Sequence, residues 1–271
     1  MNNVNKTLYI PLYGKAYVSS RGLFLHDPKA EQIWAAEGFA LRGKSKSKWL
    51  AYYMGIRSAV FDDWVRERVA SNPDAVVLHI GCGMDSRAVR IGNHPLWYDV
   101  DFPDVIAERK RYFTETDHYK MLAGDARDCA FLALVPQKKH AVVVMEGISI
   151  YMTHAELQNA LDALSAHFEG VALLMDAYSE RAAQLSKYKN PINDVGVTQV
   201  WGIDDPTVIE AGGIAFVRTH DMTPAHYIEQ LKGSKKRIFA KLYAGSFSRK
   251  LYRLYEYQKT HRRPYETDVG N

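Results

Sequence analysis

A short apolar run that ends in two glycines limits the folds open to this chain more than any other feature. Residues Ala75 to Ile80 read AVVLHI, and Gly81-Cys82-Gly83 follows directly. An unbroken apolar run of this length is typical of a strand that is buried on both faces of a parallel sheet. The two glycines permit a sharp turn and a close backbone approach to a ligand. We therefore predict that Gly81 and Gly83 line a nucleotide-type site.

Strands of this kind recur along the chain, with helices between them. Further strands are predicted at Leu96 to Phe102, Tyr119 to Ala123, His140 to Met145 and Val171 to Met175. Helices are predicted from about Asp85, from Pro103, which suits a first helical position, and from the capping box Thr153-His154-Ala155-Glu156. Strand and helix in alternation predict an α/β fold around a parallel sheet with right-handed crossovers.

The segments on either side of this alternation differ from it. From about Leu8 to Val69 the sequence predicts mostly helix, most clearly from Arg57 onward. Residues 179–213 are polar, carry two prolines and interrupt the alternation, so we expect an insertion near the carboxyl edge of the sheet. The tyrosines of the C-terminal part suit a strand or a helix, and we expect a helix followed by a final strand.

Composition narrows the possible partners. The net charge is only +4, whereas nucleic-acid binders usually carry a concentrated basic face, so we expect no nucleic-acid partner. The two cysteines, Cys82 and Cys129, form neither a disulfide framework nor a metal-ligand spacing, so no metal site is predicted. Apolar runs are too short to span a bilayer, and the N-terminus lacks a signal-peptide pattern. We expect a cytoplasmic protein with reduced thiols and no membrane partner.

The glycine turn departs from a dinucleotide-binding fingerprint, because Ser86 occupies the place of the third small residue. Asp85 is expected in the first turn of the following helix, where its charge would repel a pyrophosphate. That placement indicates a nucleoside ligand without phosphates. A helix-capping aspartate on a tight turn is the alternative interpretation. Arg87 and Arg90 are expected to pair with Asp85 or with neighbouring acids.

Acidic residues end successive predicted strands, where a doubly wound sheet places its ligand. Asp101 follows Gly81 by twenty residues, a spacing that suits an acceptor for the two ribose hydroxyls. Asp125 follows the third strand and can accept a hydrogen bond from an adenine amino group. Glu146 follows the fourth strand, beside Gly147, and suits the cationic end of a ligand. Each acid alone is more often a loop cap, but together they indicate a nucleoside-derived ligand.

These residues belong to a set of motifs from Leu8 to Tyr257 through which the chain resembles a known family. The motifs are LYIPLYGKA, LHDPKA, Arg57 with DDWV, HIGCGMDSR, WYDVDFPDVI, AGDARD, EGISIYM and WGIDDP. Each is weak alone, and together they are specific. The chain resembles the S-adenosylmethionine-dependent O-methyltransferases of the leucine carboxyl methyltransferase and polyketide (tetracenomycin-type) O-methyltransferase family.

The resemblance implies a class I methyltransferase fold, which is Rossmann-like with a seven-stranded, mostly parallel sheet. It implies one integrated domain, with an N-terminal helical cap at 1–70, a core at 71–271 and the insertion at 179–213 over the substrate. The implied cofactor is S-adenosylmethionine, and the implied product is S-adenosylhomocysteine. Positions that match the family's cofactor-binding residues are Lys15, Arg57, Gly81, Asp101, Asp125, Ala126 and Glu146.

The resemblance also suggests roles for individual side chains. Arg57 and Lys15 match basic residues that hold the carboxylate of the methionine moiety. Arg127 and Tyr151 match the region that orients the acceptor, and they are the predicted catalytic residues, although Tyr151 also suits a buried core position. The implied acceptor is a small molecule with a reactive carboxylate or hydroxyl oxygen.

The chemistry separates these two kinds of acceptor. A carboxylate is already charged and needs no base, so alignment and exclusion of water suffice for in-line displacement at the methyl carbon. A hydroxyl would need a base, for which His154 is better placed than His140, although a solvent-exposed histidine at a helix start is the favoured interpretation of His154. Two other functions stay open at this point: an NAD(P)-dependent Rossmann oxidoreductase, disfavoured by Asp85 and the missing glycine, and a non-catalytic cofactor-binding protein.

Overall fold

The computed structural model describes residues 8–37, 46–92, 95–138, 140–189 and 200–259. Helices come first: α1 (Tyr9–Ser19), α2 (Pro28–Glu37) and α3 (Lys48–Ser71). The alternating part follows: β1 (Val76–Ile80), α4 (Arg87–Ile91), β2 (Trp97–Asp101), α5 (Pro103–Arg109), β3 (Tyr119–Ala123), β4 (His140–Met145), α6 (His154–His167) and β5 (Gly170–Tyr178). The last elements are α7 (Glu180–Lys189), β6 (Ala215–His220), α8 (Ala225–Ile228), α9 (Ser234–Tyr243), α10 (Ser246–Leu251) and β7 (Tyr252–Lys259).

The strands of the described chain form a single seven-stranded sheet in the order β3-β2-β1-β4-β5-β7-β6. The pairs from β3 to β5 are all parallel, and β7 runs antiparallel to both of its neighbours. The predicted seven-stranded, mostly parallel sheet is therefore confirmed. The strand order reverses between β1 and β4, because the chain proceeds from β1 outward to β3 and then continues with β4 on the other side of β1. A doubly wound sheet binds its ligand in the crevice at such a point.

Both faces of the sheet are covered, which explains the unbroken apolar strands. Along β4, Val142 and Val144 pack into one core cluster, which also holds the buried faces of α1 and α3. Val143 and Met145 pack into the opposite cluster with Leu157 and the other inward residues of α6. No helix in the described ranges is long and apolar enough to cross a bilayer.

The predicted elements of the alternating part are confirmed with small changes of boundary. All five predicted strands are present, Pro103 begins α5, and Thr153 and Glu156 form the capping box of α6. The C-terminal part is helical and then forms β7, as predicted. Helix α3 is longer than the stretch from Arg57 to Val69 that periodicity indicated, because it is buried around most of its middle turns and shows little amphipathic pattern there.

Two segments need separate comment: one was not predicted from the sequence, and the other lies partly outside the described residues. Strand β6 was not predicted, because it lies at the sheet edge and its side chains are mostly exposed, so no apolar pattern marks it. The predicted insertion at 179–213 begins with α7, and its residues 190–199 lie outside the described residues. The part from Val200 onward returns to the sheet, where the amide of Ile203 donates to the carbonyl oxygen of Tyr178 at 2.7 Å.

Candidate active site

A cavity of about 990 Å³ opens at the carboxyl ends of β1, β2 and β4. Every site residue predicted from the sequence contributes to its wall: Lys15, Arg57, Gly81, Gly83, Asp101, Asp125, Ala126, Arg127, Glu146 and Tyr151. The strand ends bring these residues together from widely separated parts of the sequence. A volume near 1,000 Å³ falls at the upper end of the range typical of small-molecule sites, so the cavity has room for a cofactor and an acceptor.

The glycine turn after β1 requires its first glycine for two reasons. Gly81 has a φ of +72°, a left-handed conformation that favours glycine. A Cβ atom at this position would lie 2.1 Å from Cγ2 of Ile148, which follows β4. The turn and the loop after β4 therefore pack directly against each other. Gly83 also has a positive φ, of +51°.

Asp101 at the end of β2 holds this turn from the side. Its carboxylate accepts hydrogen bonds from the amides of Gly83, at 2.7 Å, and Phe102, at 2.8 Å. Burial raises the pKa of Asp101, and the two amide hydrogen bonds act in the opposite direction. Asp101 faces the cavity, while Asp99, two residues earlier, is completely buried. The sequence-based choice of Asp101 as the ribose ligand fits this geometry.

Arg109 stabilises the glycine turn, and the sequence did not predict this role. Its guanidinium donates to the carbonyl oxygens of Gly83, at 2.7 Å, and Asp85, at 2.8 Å, and it also pairs with Asp99. Burial by itself raises the pKa of Asp99, but Arg109, His79 and Tyr119 together outweigh burial, and the pKa falls to about 2. An acid inside a buried strand was a signal that a buried cation pairs with it.

Asp125 and Arg127 form a bidentate pair within the loop after β3. Nε of Arg127 lies 2.9 Å and 3.0 Å from the two carboxylate oxygens of Asp125, and Nη2 adds a third contact. The Arg127 guanidinium also lies 5.9 Å from the ring centre of Phe102. Hydrogen bonding from Arg127 lowers the pKa of Asp125. The structure thus places Arg127 beside Asp125, the residue predicted to bind the adenine. The role of Arg127 in orienting the acceptor stays a prediction.

Arg57 from α3 lies beside Glu146, which follows β4, and Asp176, which belongs to β5. Its Nε donates to Glu146 at 3.0 Å, and its Nη1 donates to Asp176 at 2.8 Å and to the hydroxyl of Tyr252 at 2.5 Å. Burial raises the pKa of Glu146, but Arg87 and Arg57 outweigh it, and the pKa falls to about 2. Arg57 is therefore already paired with two carboxylates beside the cavity. Asp176 and Tyr252 are site residues that the sequence did not reveal.

The prediction that Asp85 occupies the first turn of a helix is wrong. Helix α4 begins at Arg87 with Ser86 as its N-cap, so Asp85 belongs to the turn. Its carboxylate lies 3.1 Å from Nζ of Lys15, 2.7 Å from Nη1 of Arg90 and 3.4 Å from Nη2 of Arg87. These cations lower its pKa well below the usual range, although burial alone would raise it. Its charge is neutralised, so it presents no bare negative charge to a ligand.

The expected ion pairs of Arg87 and Arg90 are present. Arg87 is completely buried and pairs with Asp62 at 2.7 Å and with Glu146. Arg90 also pairs with Asp62, at 2.7 Å. Since Glu146 contacts both Arg57 and Arg87, one charge network connects the glycine turn with the loop after β4.

Tyr151 lies in a short 3-10 turn, Ser149–Tyr151, between β4 and α6. It is partly buried and lines the cavity. The same region is fastened to the returning segment after α7, because the amide of Trp201 donates to the carbonyl oxygen of Ile150 at 2.8 Å. Nε2 of His154 lies 3.0 Å from the carbonyl oxygen of Gly202, so its ring contacts the backbone of that segment.

The residues present fit an adenosylmethionine-type ligand. The glycine turn exposes backbone to the cavity, the Asp101 carboxylate lines it, and the Phe102 ring stands next to it. Gly147 has a φ of +77°, and a Cβ there would meet the guanidinium of Arg57 at 3.5 Å, so the backbone comes close to the charged end of the site. This set matches the polarity of a nucleoside joined to an amino acid.

Comparison with known proteins assigns the family. The sequence profile of the leucine carboxyl methyltransferase family matches residues 11–165. The tetracenomycin polyketide synthesis O-methyltransferase TcmP of Streptomyces glaucescens is 32% identical over 188 residues, which cover 68% of this chain and 70% of the relative. An S-adenosyl-L-methionine-dependent methyltransferase, dpfgK of Gibberella zeae, is 28% identical over 234 residues, 78% of each chain.

Solved structures show the same fold at much lower identity. A putative methyltransferase from Thermobifida fusca aligns with a TM-score of 0.52 and 11% identity, over 91% of this chain and 94% of that one. Magnesium protoporphyrin IX methyltransferase from Synechocystis, solved with bound S-adenosylhomocysteine, gives a TM-score of 0.51 and 12% identity, over 91% and 97% of the two chains. The fold, the motifs and the relatives agree: the chain belongs to the leucine carboxyl methyltransferase family and is an S-adenosylmethionine-dependent methyltransferase.

Proposed function

We propose that this methyltransferase esterifies a carboxylate of a small, largely apolar acid. The observation that carries the proposal is the cavity wall facing the strand ends. Helices α3, α7, α9 and α10 line it with apolar and aromatic side chains, among them Leu50, Tyr53, Leu185, Leu242 and Phe247. Apolar lining of this kind favours an acceptor with a hydrophobic scaffold, because binding removes apolar surface from water.

The same wall supports an acceptor that needs no deprotonation. The described residues of α3, α7, α9 and α10 contribute three ionisable side chains to the cavity wall. They are Arg57, Tyr53 and Tyr243. Burial raises the pKa of both phenols, so neither is a base at neutral pH. A carboxylate is already a nucleophile at that pH. The wall thus suits a carboxylate better than a hydroxyl, which would require a base.

The reaction balances without a proton transfer. A carboxylate oxygen attacks the methyl carbon, the new O–C bond forms, and the electron pair of the breaking C–S bond goes to the sulfur, which leaves neutral. Positioning and exclusion of water by the cavity walls can supply up to about 7–11 kcal/mol of the rate enhancement. The relative named for tetracenomycin polyketide synthesis is an O-methyltransferase, which supports oxygen as the acceptor atom.

We assign the cofactor to the strand-end half of the cavity. In this proposal Asp101 accepts from the ribose, Asp125 and Ala126 face the adenine, and Arg57 and Lys15 attract the methionine carboxylate. The backbone of Gly81 and Gly83 borders the nucleoside. The arrangement is supported by the cavity that all of these residues line together.

The cavity also supports the proposed division of the chain. Helices α1 and α3 supply part of its wall, and α7 supplies another part. We therefore propose that residues 1–70 cap the site and that 179–213 form a substrate-site insertion on one integrated domain with the core at 71–271.

The test uses methyl-labelled S-adenosylmethionine and pairs of aromatic acids and their matching primary alcohols. We expect label transfer to the acids, and we expect mild alkali to release it as methanol, since esters hydrolyse and ethers do not. Alkali-stable label on the alcohols would overturn the carboxylate assignment. A rise in melting temperature with S-adenosylhomocysteine but not with NAD is expected as well. The opposite pattern would overturn the cofactor assignment.

A further inference from the structure

A buried network of charges underlies the methionine end of the proposed cofactor site. Its cations are Lys15, Arg57, Arg87 and Arg90, and its carboxylates are Asp27, Asp62, Asp85, Glu146 and Asp176. Ion pairs connect all nine side chains, and each side chain is at most 5% exposed. Within the described residues, five carboxylates thus face four cations, and the network carries one negative charge in excess.

Asp176 and Asp27 each pair with a single cation that another carboxylate shares. Of these two, Asp176 is the one whose cation, Arg57, lines the cavity, so its charge lies nearer the ligand site. Both oxygens of Asp176 accept hydrogen bonds: Oδ1 from the amide of Gly147 at 2.7 Å, and Oδ2 from Arg57 at 2.8 Å and from the hydroxyl of Tyr252. Because Arg57 donates to that hydroxyl at 2.5 Å, the proton of Tyr252 is directed to Asp176. Burial raises the pKa of Asp176, but all three partners are donors, which stabilise the ionised carboxylate.

The cofactor before methyl transfer and its product after methyl transfer differ by one charge. S-adenosylmethionine has an ammonium, a sulfonium and a carboxylate, so its net charge is +1. S-adenosylhomocysteine has lost the sulfonium charge and is neutral overall. A buried negative charge interacts with these two ligands differently, and the interaction is only weakly screened by salt.

We propose that Asp176 is a specificity-determining residue, which makes the site favour the positively charged cofactor over the neutral product. It acts through Arg57 and through the charge of the network, not by contact with the sulfur. The cofactor brings the network to neutrality, and methyl transfer restores the excess negative charge. Loss of the sulfonium therefore weakens the hold on the product at the moment it forms. This inference rests on the placement of the methionine end at Arg57 and Glu146 in the proposed function.

The test compares two ligands of different charge on the full chain by calorimetry. Sinefungin, in which an amine-bearing carbon replaces the sulfonium, keeps the charge of +1, and S-adenosylhomocysteine is the neutral partner. We expect Asp176→Asn to lower the ratio of sinefungin affinity to S-adenosylhomocysteine affinity by about tenfold. Tyr252→Phe removes a hydrogen bond to the same carboxylate without changing charge, so both affinities should change by a similar factor.

An unchanged ratio in a folded Asp176→Asn variant would overturn the inference, and so would an equal drop of the ratio in Tyr252→Phe. If Asp176→Asn does not fold, Asp27→Asn removes one charge from the same network at a distance from the cavity, and we expect the same direction with a smaller drop. Failure of wild-type protein to bind either ligand would count against the cofactor site itself, which separates the two hypotheses.

Discussion

Nζ of Lys15 lies 3.1 Å from Oδ2 of Asp85, and both side chains are buried. This ion pair joins the first helix of the chain to the glycine turn after β1. It gives Lys15 a structural partner that the sequence did not indicate, and it neutralises the acid that was expected to repel a phosphate.

We expect Lys15→Met to lower the free energy of unfolding by about 1–3 kcal/mol, because a buried charged group loses a partner. The loss stays moderate since Asp85 keeps Arg90 and Arg87. Urea unfolding measures the change. Lys110→Met, at an exposed position after α5, is the matched control and should be nearly neutral. Equal stability of the two variants would contradict a stabilising role of the ion pair.

Asp101→Ala should weaken the binding of S-adenosylhomocysteine. The variant loses the proposed ribose acceptor and the carboxylate that holds the amide of Gly83. A hydrogen bond to a charged group contributes ~1.5–3 kcal/mol, so the dissociation constant should rise about tenfold or more. Calorimetry measures it, with Asp104→Ala on the exposed side of α5 as the control. Unchanged affinity would refute the ribose assignment.

Gly81→Ala separates backbone strain from steric overlap. At Gly81 the φ is +72° and a Cβ would lie 2.1 Å from Ile148, whereas at Gly92 the φ is +73° and nothing lies within 4 Å. Both alanines would have a positive φ, which L side chains rarely adopt, and only the first also overlaps another side chain. We expect Gly81→Ala to lose clearly more stability, and also cofactor affinity. Similar melting temperatures for the two variants would show that the packing against Ile148 is loose.

Glu146 should make the protein sensitive to acid. Its pKa lies at about 2 in the folded state, below the ordinary value of 4.5, because Arg87 and Arg57 outweigh the effect of burial. A lowered folded pKa contributes stability that is present above the unfolded value and is lost as the pH falls toward the folded one. Between pH 4.5 and about 2, Glu146→Gln should therefore lose less unfolding free energy than the wild type. Parallel pH profiles for the two proteins would contradict this linkage.

Arg127→Ala should weaken the binding of S-adenosylhomocysteine several-fold. Arg127 holds Asp125 through a bidentate contact and lies over Phe102, so its removal loosens two groups of the proposed adenine site. Arg111→Ala, which removes another exposed arginine paired with a nearby acid, serves as the control. A raised KM for the acceptor with unchanged cofactor affinity would instead support the acceptor-orienting role that the family resemblance suggests.

The amino-acid sequence alone determined the order of strands and helices in the central part and ten of the residues that line the cavity. Buried parallel strands leave unbroken apolar runs, and Gly81 and Asp101 come at fixed offsets from them, so local pattern was sufficient. Edge strand β6 was missed because its exposed faces carry no such pattern.

Only the tertiary structure decided how the charges pair. Arg57 meets Asp176 across 119 residues of sequence, Arg87 meets Glu146 across 59, and Arg109 reaches back to the carbonyl of Gly83 across 26. Nothing in the local pattern of these residues specifies a partner, because an ion pair depends on the position of both side chains in space. Burial then makes each partner choice decisive, since an unpaired charge in the interior is strongly destabilising. The sequence thus determined part of the cavity wall, and the packing of α1, α3 and α5 against the sheet determined which charges the residues of that wall neutralise.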